Sequence, residues 1–191
     1  MVLKVRDSMK AAKHKGTLNL KEAEAKFAQL MVKEIFPYWH GTPWDFNGYT
    51  DTPGKGVIAC GYFVSTSLKH AGCNLNRYRM AQKASLGILK MVCDSQYNKF
   101  NQKDSFINFM KQKAEPGLYV LALSYHVGFV YKSESELKFI HSNYNGAVGV
   151  MEEDLDKSAA IDQSYLWIAG TLSGNENFMK KWLDKTNFPH K

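Results

Sequence analysis

The chain has 191 residues, 45% of them hydrophobic and 23% charged, with a formal net charge of +7. This length suits one domain with a well-buried core, and the composition is that of an ordinary soluble globular protein. No run of roughly eighteen apolar residues occurs, which excludes a membrane-spanning helix; the start, Met1-Val2-Leu3-Lys4-Val5-Arg6-Asp7, also lacks the apolar stretch of a secretory signal, so either none is made or it has been removed.

Residues 1–16 hold Lys4, Arg6, Lys10, Lys13 and Lys15 against Asp7, five basic less one acidic, or +4 of the total. The segment reads as a basic, solvated and partly frayed terminus, with attraction to an anionic polymer such as cell-wall glycan, a membrane surface or nucleic acid as the sharper reading. Nucleic acid ranks last, because no motif for it occurs and the basic residues are not interleaved with aromatics.

Residues 17–191 read as a single domain. Asn19 with Glu22 three residues on makes a capping box, and Ala23, Phe27, Leu30, Met31 and Ile35 follow at helical spacing until Pro37 ends the helix. An aromatic, glycine-rich stretch from Tyr38 through Trp39, His40, Trp44, Phe46 and Tyr49 to Gly56 is too long for a simple connector and is a candidate binding loop. Cys60 follows it and opens a helix marked by Val64, Leu68 and Ala71, with Gly72 placed to terminate it. Helical stretches are expected at 77–92 and 104–113, inside a segment of about 74–115 that reads as a helical insertion. After the turn Glu115-Pro116-Gly117, strands are expected at 118–123, 127–131, 137–143, 146–150 and 165–171, with a short helix at 152–160 and a terminal amphipathic helix at 175–185 carrying Phe178, Trp182 and Leu183 inward. Helices first and strands afterwards predict an α+β fold, an antiparallel sheet with helices packed on it.

The cysteines are Cys60, Cys73 and Cys93, an odd count that argues against a disulfide framework, and their spacing matches no zinc pattern. Cys60 is the candidate nucleophile: a helix N-terminus supplies unpaired N–H groups and about half a positive charge, which favour a thiolate, and its N–H groups, Gly61's included, would make an oxyanion hole. Cys73 and Cys93 read as structural. A thiolate needs a base, and a base needs a group to orient it. Along a strand His126, Gly128 and Val130 share one face. If the next strand forms a hairpin with it, a turn centred between Ser133 and Glu134 puts His126 opposite His141, and a four-residue loop from Ser133 to Glu136 puts it opposite Asn143. Either register sets His141 and Asn143 on the His126 face, and either side chain would serve as orienter. Two histidines alone do not make a zinc site, since no third ligand has suitable spacing; no metal or other cofactor is expected. Of the other histidines, His40 is a candidate substrate contact, and His14, His70 and His190 read as surface.

Three stretches resemble the NlpC family of cell-wall cysteine peptidases, within the papain-like superfamily: Tyr38-Trp39-His40-Gly41; Ala59-Cys60-Gly61-Tyr62-Phe63-Val64 running to Gly72; and His126-Val127-Gly128-Phe129-Val130-Tyr131 followed by Phe139-Ile140-His141. Together they span 38–143, and the histidine hairpin is the most specific. The family's aspartate before the cysteine and serine after it are here Ala59 and Gly61, so the chain reads as a divergent member, nearer the amidase toxins that bacteria inject into rivals. The resemblance implies a papain-like fold and cleavage of amide bonds in peptidoglycan stem peptides, with Cys60 as nucleophile, His126 as base, His141 in the third position and Asn143 as its substitute. It makes Tyr38 the tyrosine lining the site, with Trp39, Trp44 and Tyr62 as candidate substrate walls. It also implies an extracytoplasmic bacterial protein or an exported effector, with peptidoglycan or a peptide as its partner. Two alternatives stand beside this reading: a papain-like binding module that has lost its chemistry, and a thiol amidase or acyltransferase acting on lipid or protein.

Overall fold

The computed structural model describes residues 2–188, which form an α+β fold built on a six-stranded antiparallel sheet. Helices α1 (Val2–His14), α2 (Leu20–Leu30), α3 (Phe36–Trp39), α4 (Cys60–His70), α5 (Arg77–Ala81) and α6 (Ser85–Cys93) come first. Strand β1 (Tyr97–Phe100) and helix α7 (Lys103–Asn108) follow, then β2 (Gly117–Leu123), β3 (Val127–Lys132), β4 (Leu137–Asn143), β5 (Gly149–Asp154), α8 (Ala159–Asp162), β6 (Trp167–Thr171) and α9 (Glu176–Asp184). The strands lie in the order β1-β6-β2-β3-β4-β5.

Alternation along the strands creates two apolar faces. Leu118, Val120 and Ala122 of β2 with Phe129 and Ile140 meet α2, α4, α6 and α9, while Tyr119, Leu121, Val130 and Phe139 meet Phe106 of α7 and Ile161 of α8. Each large side chain so buried is worth about 1.5–3 kcal/mol. Helix α4 lies across β3 and β4, and this brings its first residue to the sheet.

Several local expectations hold in detail. Asn19 accepts the Glu22 N–H at the start of α2, and α4 closes with the Gly72 N–H on the Lys69 carbonyl and the Cys73 N–H on that of Leu68, Gly72 taking a φ of 90°. Others are corrected. Pro37 does not end the helical run. A π turn at Met31–Ile35, with the Phe36 N–H reaching back to the Met31 carbonyl, absorbs the mismatch, and Pro37 enters in the first turn of α3, where a missing N–H is tolerated. The stretch at 77–92 is two helices, and the segment 74–115 is not wholly helical: β1 lies within it and pairs with β6 at the sheet edge.

The region after β4 differs most. The short helix expected at 152–160 begins late: a 3-10 turn spans Leu155–Lys157 and α8 starts only at Ala159. Glu152, Glu153 and Asp154 continue β5, paired with Ile140, Phe139 and Lys138, and Lys138 Nζ holds Asp154 at 2.7 Å across the two strands. Cross-strand pairing outweighs the local charge pattern here. Residues 2–14, read as a frayed arm, form α1, which packs against α9, with Lys13 on Asp184 at 2.6 Å and the buried Arg6 donating to the Gly72 carbonyl at 2.7 Å. His190 lies outside the described residues.

The loop before α4 is held by a buried arginine. Arg77 Nη1 donates to Thr66 Oγ1 and the Thr50 carbonyl, and Nη2 to the Tyr49 carbonyl and Tyr78 hydroxyl, with the guanidinium 4.3 Å from the Tyr78 ring centre. All four Nη hydrogens are spent on neutral acceptors, so the charge serves to tie loop, α4 and α5 together. Arg77→Leu should strand these acceptors and destabilise the fold by about 2 kcal/mol or more. In thermal denaturation the midpoint should fall by about 5 °C; an unchanged midpoint would show that the loop needs no such tie.

Candidate active site

Cys60 occupies the first position of α4, behind Ala59, whose backbone is extended and whose side chain offers no cap. A methyl group at that position leaves the first-turn N–H groups uncapped. The Cys60 and Gly61 N–H groups and that of Val127, the first residue of β3, all reach the sulfur and pull its pKa down. Burial works against them and prevails, pushing the thiol above its ordinary value. Gly61 is required by close approach, since a Cβ there would stand 2.8 Å from the Ala81 carbonyl oxygen and 3.2 Å from Ile88 Cδ1. Gly61 therefore follows from how α4 meets α5 and α6.

His126 immediately precedes β3. The β3–β4 ladder pairs Phe129 with Ile140 and Val130 with Phe139, the register of the four-residue loop, in which the Ser133 N–H reaches the Glu136 carbonyl. Continued to the strand start, this register sets Asn143 opposite His126 and His141 diagonal to it. The diagonal neighbour makes the contact. His126 Nε2 and His141 Nδ1 are 2.7 Å apart, with the two rings edge to face. Asn143 is committed elsewhere: its Oδ1 accepts the Asn145 N–H, and its Nδ2 points to Met151 Sδ. Gly128 makes room for the pair, because a Cβ there would lie 2.8 Å from His141 Cβ and 2.7 Å from the Phe139 ring. His126 is 2% exposed and His141 not at all. Burial, and then the neighbouring His141, hold the His126 pKa well below its ordinary value, so the imidazole is neutral at neutral pH. Its Nδ1 is buried without a hydrogen-bond partner among the described residues.

Cys60 and His126 line one cavity of about 250 Å³. One wall is the α5–α6 turn, with Ala81, Lys83 and Ala84; the other is the β2–β3 turn, with Ser124 and Tyr125. The first wall comes from the segment read as an insertion, so that segment helps to form the site. Tyr125 stands 84% exposed at the rim, and its hydroxyl accepts that of Tyr165 at 3.2 Å.

The aromatic candidates divide. Gly61 lines the cavity; Tyr38, Trp39, Trp44 and Tyr62 do not. Tyr38 is exposed on α3. Trp39 is wholly buried, stacked on His70 at 5.7 Å, and has no surface to offer a substrate. Tyr62 sits between Tyr49 and Tyr78 beside Arg77. Trp44 rests 6.4 Å from Tyr144, whose ring packs 5.0 Å from His126. Tyr144 thus packs against His126, closer than Phe139 at 6.1 Å, and sequence reasoning missed it; its only signal was its place just past the strand of His141. Glu153 was missed as well. Its Oε1 lies 2.9 Å from His141 Nε2, and reading 152–160 as a helix hid its place on a strand beside His141. Cys73 and Cys93 are buried free thiols, pushed up by burial. Among the described residues no group of three or more His, Cys, Asp or Glu is placed to hold a metal ion, and no helix is long and apolar enough to cross a membrane.

Comparison with protein-family models, curated proteins and solved structures finds no match to this chain. The site is nonetheless testable through its own physics. The folded protein holds His126 below the 6.5 of an unperturbed imidazole, so between those values the unfolded chain binds the extra proton. Stability from this group is complete above about 6.5 and is lost as the pH falls below it, by at most about 1.4 kcal/mol per pH unit. Denaturant titrations from neutral pH downward should show a shallower loss in His126→Gln than in wild type; parallel curves would mean that the ring is freely solvated.

Proposed function

We infer that the protein is a papain-like thiol hydrolase of amide bonds, with Cys60 as nucleophile and His126 as base. The observation that carries this reading is a cavity shared by a thiol at the head of a helix and a buried imidazole that is hydrogen-bonded through Nε2 and, among the described residues, unpartnered at Nδ1. Both groups rest neutral, because burial disfavours either charge. The proton therefore moves from sulfur to Nδ1 as the sulfur attacks the carbonyl carbon, rather than beforehand. The Cys60 and Gly61 N–H groups, which reach the sulfur at rest, would turn to the oxyanion as it forms. His126 then gives its proton to the leaving amine, and a water deprotonated by the same ring hydrolyses the thioester and frees the thiol.

The substrate class rests on the likeness of the cysteine helix and histidine hairpin to the cell-wall peptidases. It points to stem peptides of peptidoglycan, and hence to an extracytoplasmic site of action or an exported effector. Tyr144 replaces Tyr38 as the aromatic neighbour of the base, and the exposed Tyr125–Tyr165 pair offers a rim surface for the substrate. The burial-raised thiol favours a second reading, an inert scaffold that holds the same ligands without cleaving them.

Purified peptidoglycan incubated with the protein should release new amino termini, detected by mass spectrometry of the soluble fragments. Cys60→Ala should release none while keeping the wild-type melting curve. His126→Ala should slow alkylation of Cys60 by iodoacetamide by about tenfold or more, the usual scale for loss of a general base. Equal release by the Cys60→Ala variant would end the hydrolase reading, and equal alkylation with and without His126 would leave the inert scaffold in its place.

A further inference from the structure

The hydrogen-bonded line through His126 continues past His141 to a carboxylate. Glu153 lies on β5, in the ladder opposite Phe139, and its Oε1 meets His141 Nε2 at 2.9 Å. The hydrogen bond from His141 holds the Glu153 carboxyl below its ordinary value, so it is ionised at neutral pH and can only accept. The consequence runs inward one ring at a time. His141 must carry a proton on Nε2. In the neutral ring its Nδ1 is then bare and must accept. The proton in the 2.7 Å contact therefore belongs to His126 Nε2, and His126 has none left for Nδ1.

On the reading of Cys60 and His126 as nucleophile and base, we propose that Glu153 is a positioning residue that sets the protons of both imidazoles, so that His126 presents a bare Nδ1 to the thiol. It acts through His141 and touches no reacting atom. Its second effect is electrostatic. When Nδ1 takes the thiol proton, the positive charge on His126 lies one ring away from a fixed carboxylate. The ionisable groups facing the two rings are the Cys60 thiol at the head of α4, Tyr144 after β4 and Glu153 on β5; Lys83 and Tyr125 line the cavity walls. Without Glu153 no other hydrogen bond among the described residues fixes the His141 tautomer. A proton on His141 Nδ1 would donate to His126 Nε2, move the His126 proton to Nδ1 and leave no base for the sulfur.

The experiment reads the ring nitrogens by nitrogen-15 NMR and, separately, the rate at which iodoacetamide alkylates Cys60. In that reaction an S–C bond forms, iodide leaves and the thiol proton passes to His126 Nδ1. Wild type should show protonated Nε2 and bare Nδ1 on both rings. Glu153→Ala should introduce Nδ1–H signals on both rings and slow alkylation by about tenfold or more. Glu153→Gln keeps a carbonyl oxygen for His141 Nε2–H. It should retain the wild-type ring pattern and alkylate at a rate between those of wild type and Glu153→Ala, which also covers the case in which the alanine variant does not fold. An unchanged ring pattern in Glu153→Ala overturns the proposal, as does Nδ1–H on His126 in the wild-type protein. Failure of the underlying reading is distinguishable, since His126→Ala would then alkylate as fast as wild type whatever the state of Glu153.

Discussion

The structure turns on the place where the head of α4 meets the start of β3 and the end of β4. The Val127 N–H reaches the Cys60 sulfur, and Ser142 Oγ donates to the Ile58 carbonyl at 2.7 Å, so both sides of the junction are tied by hydrogen bonds. A buried contact of this kind needs its polar atoms paired and its side chains small. Gly61 and Gly128 supply the second condition, one where α4 passes the end of α5 and one where the His141 side chain crosses β3. Neither position tolerates a Cβ without moving a neighbour, the Ala81 carbonyl and Ile88 at Gly61, Phe139 and His141 at Gly128.

Burial at that junction has opposite effects on the thiol and the first imidazole. It raises the thiol and lowers the imidazole, which keeps both neutral, while the hydrogen bond from His141 keeps Glu153 ionised. In the proposed reaction, a carboxylate beyond His141 would stabilise a positive His126 once proton transfer creates one. Such stabilisation would be larger in the transition state than in the ground state, which is the condition for it to raise a rate. The β4–β5 ladder keeps the carboxylate beside His141, so such a transfer would need little reorganisation.

Much of this was legible in the chain itself because it depends on short-range pattern. Helical spacing after Asn19, the cysteine at a loop-to-helix boundary and the alternation of His126, Gly128 and Val130 are all local properties. The antiparallel sheet followed from the run of strands after Glu115-Pro116-Gly117. The hairpin geometry could be narrowed to two registers, because side-chain alternation holds in both. The π turn before Pro37 and the edge strand Tyr97–Phe100 were not legible, since each exists to satisfy partners distant in the chain or absent from the sequence pattern.

Residue types at periodic positions determined which groups share a strand face, where the thiol sits on its helix and that helices cover an antiparallel sheet. Tertiary structure alone decided that His141 rather than Asn143 bonds to His126, that Tyr144 rather than Tyr38 packs against His126, and that Glu153 ends the line. The physical reason is the same in each case. Periodicity fixes direction within one element, whereas distance between elements depends on register, packing and the close approaches that glycine permits, and a hydrogen bond requires the distance as well as the direction.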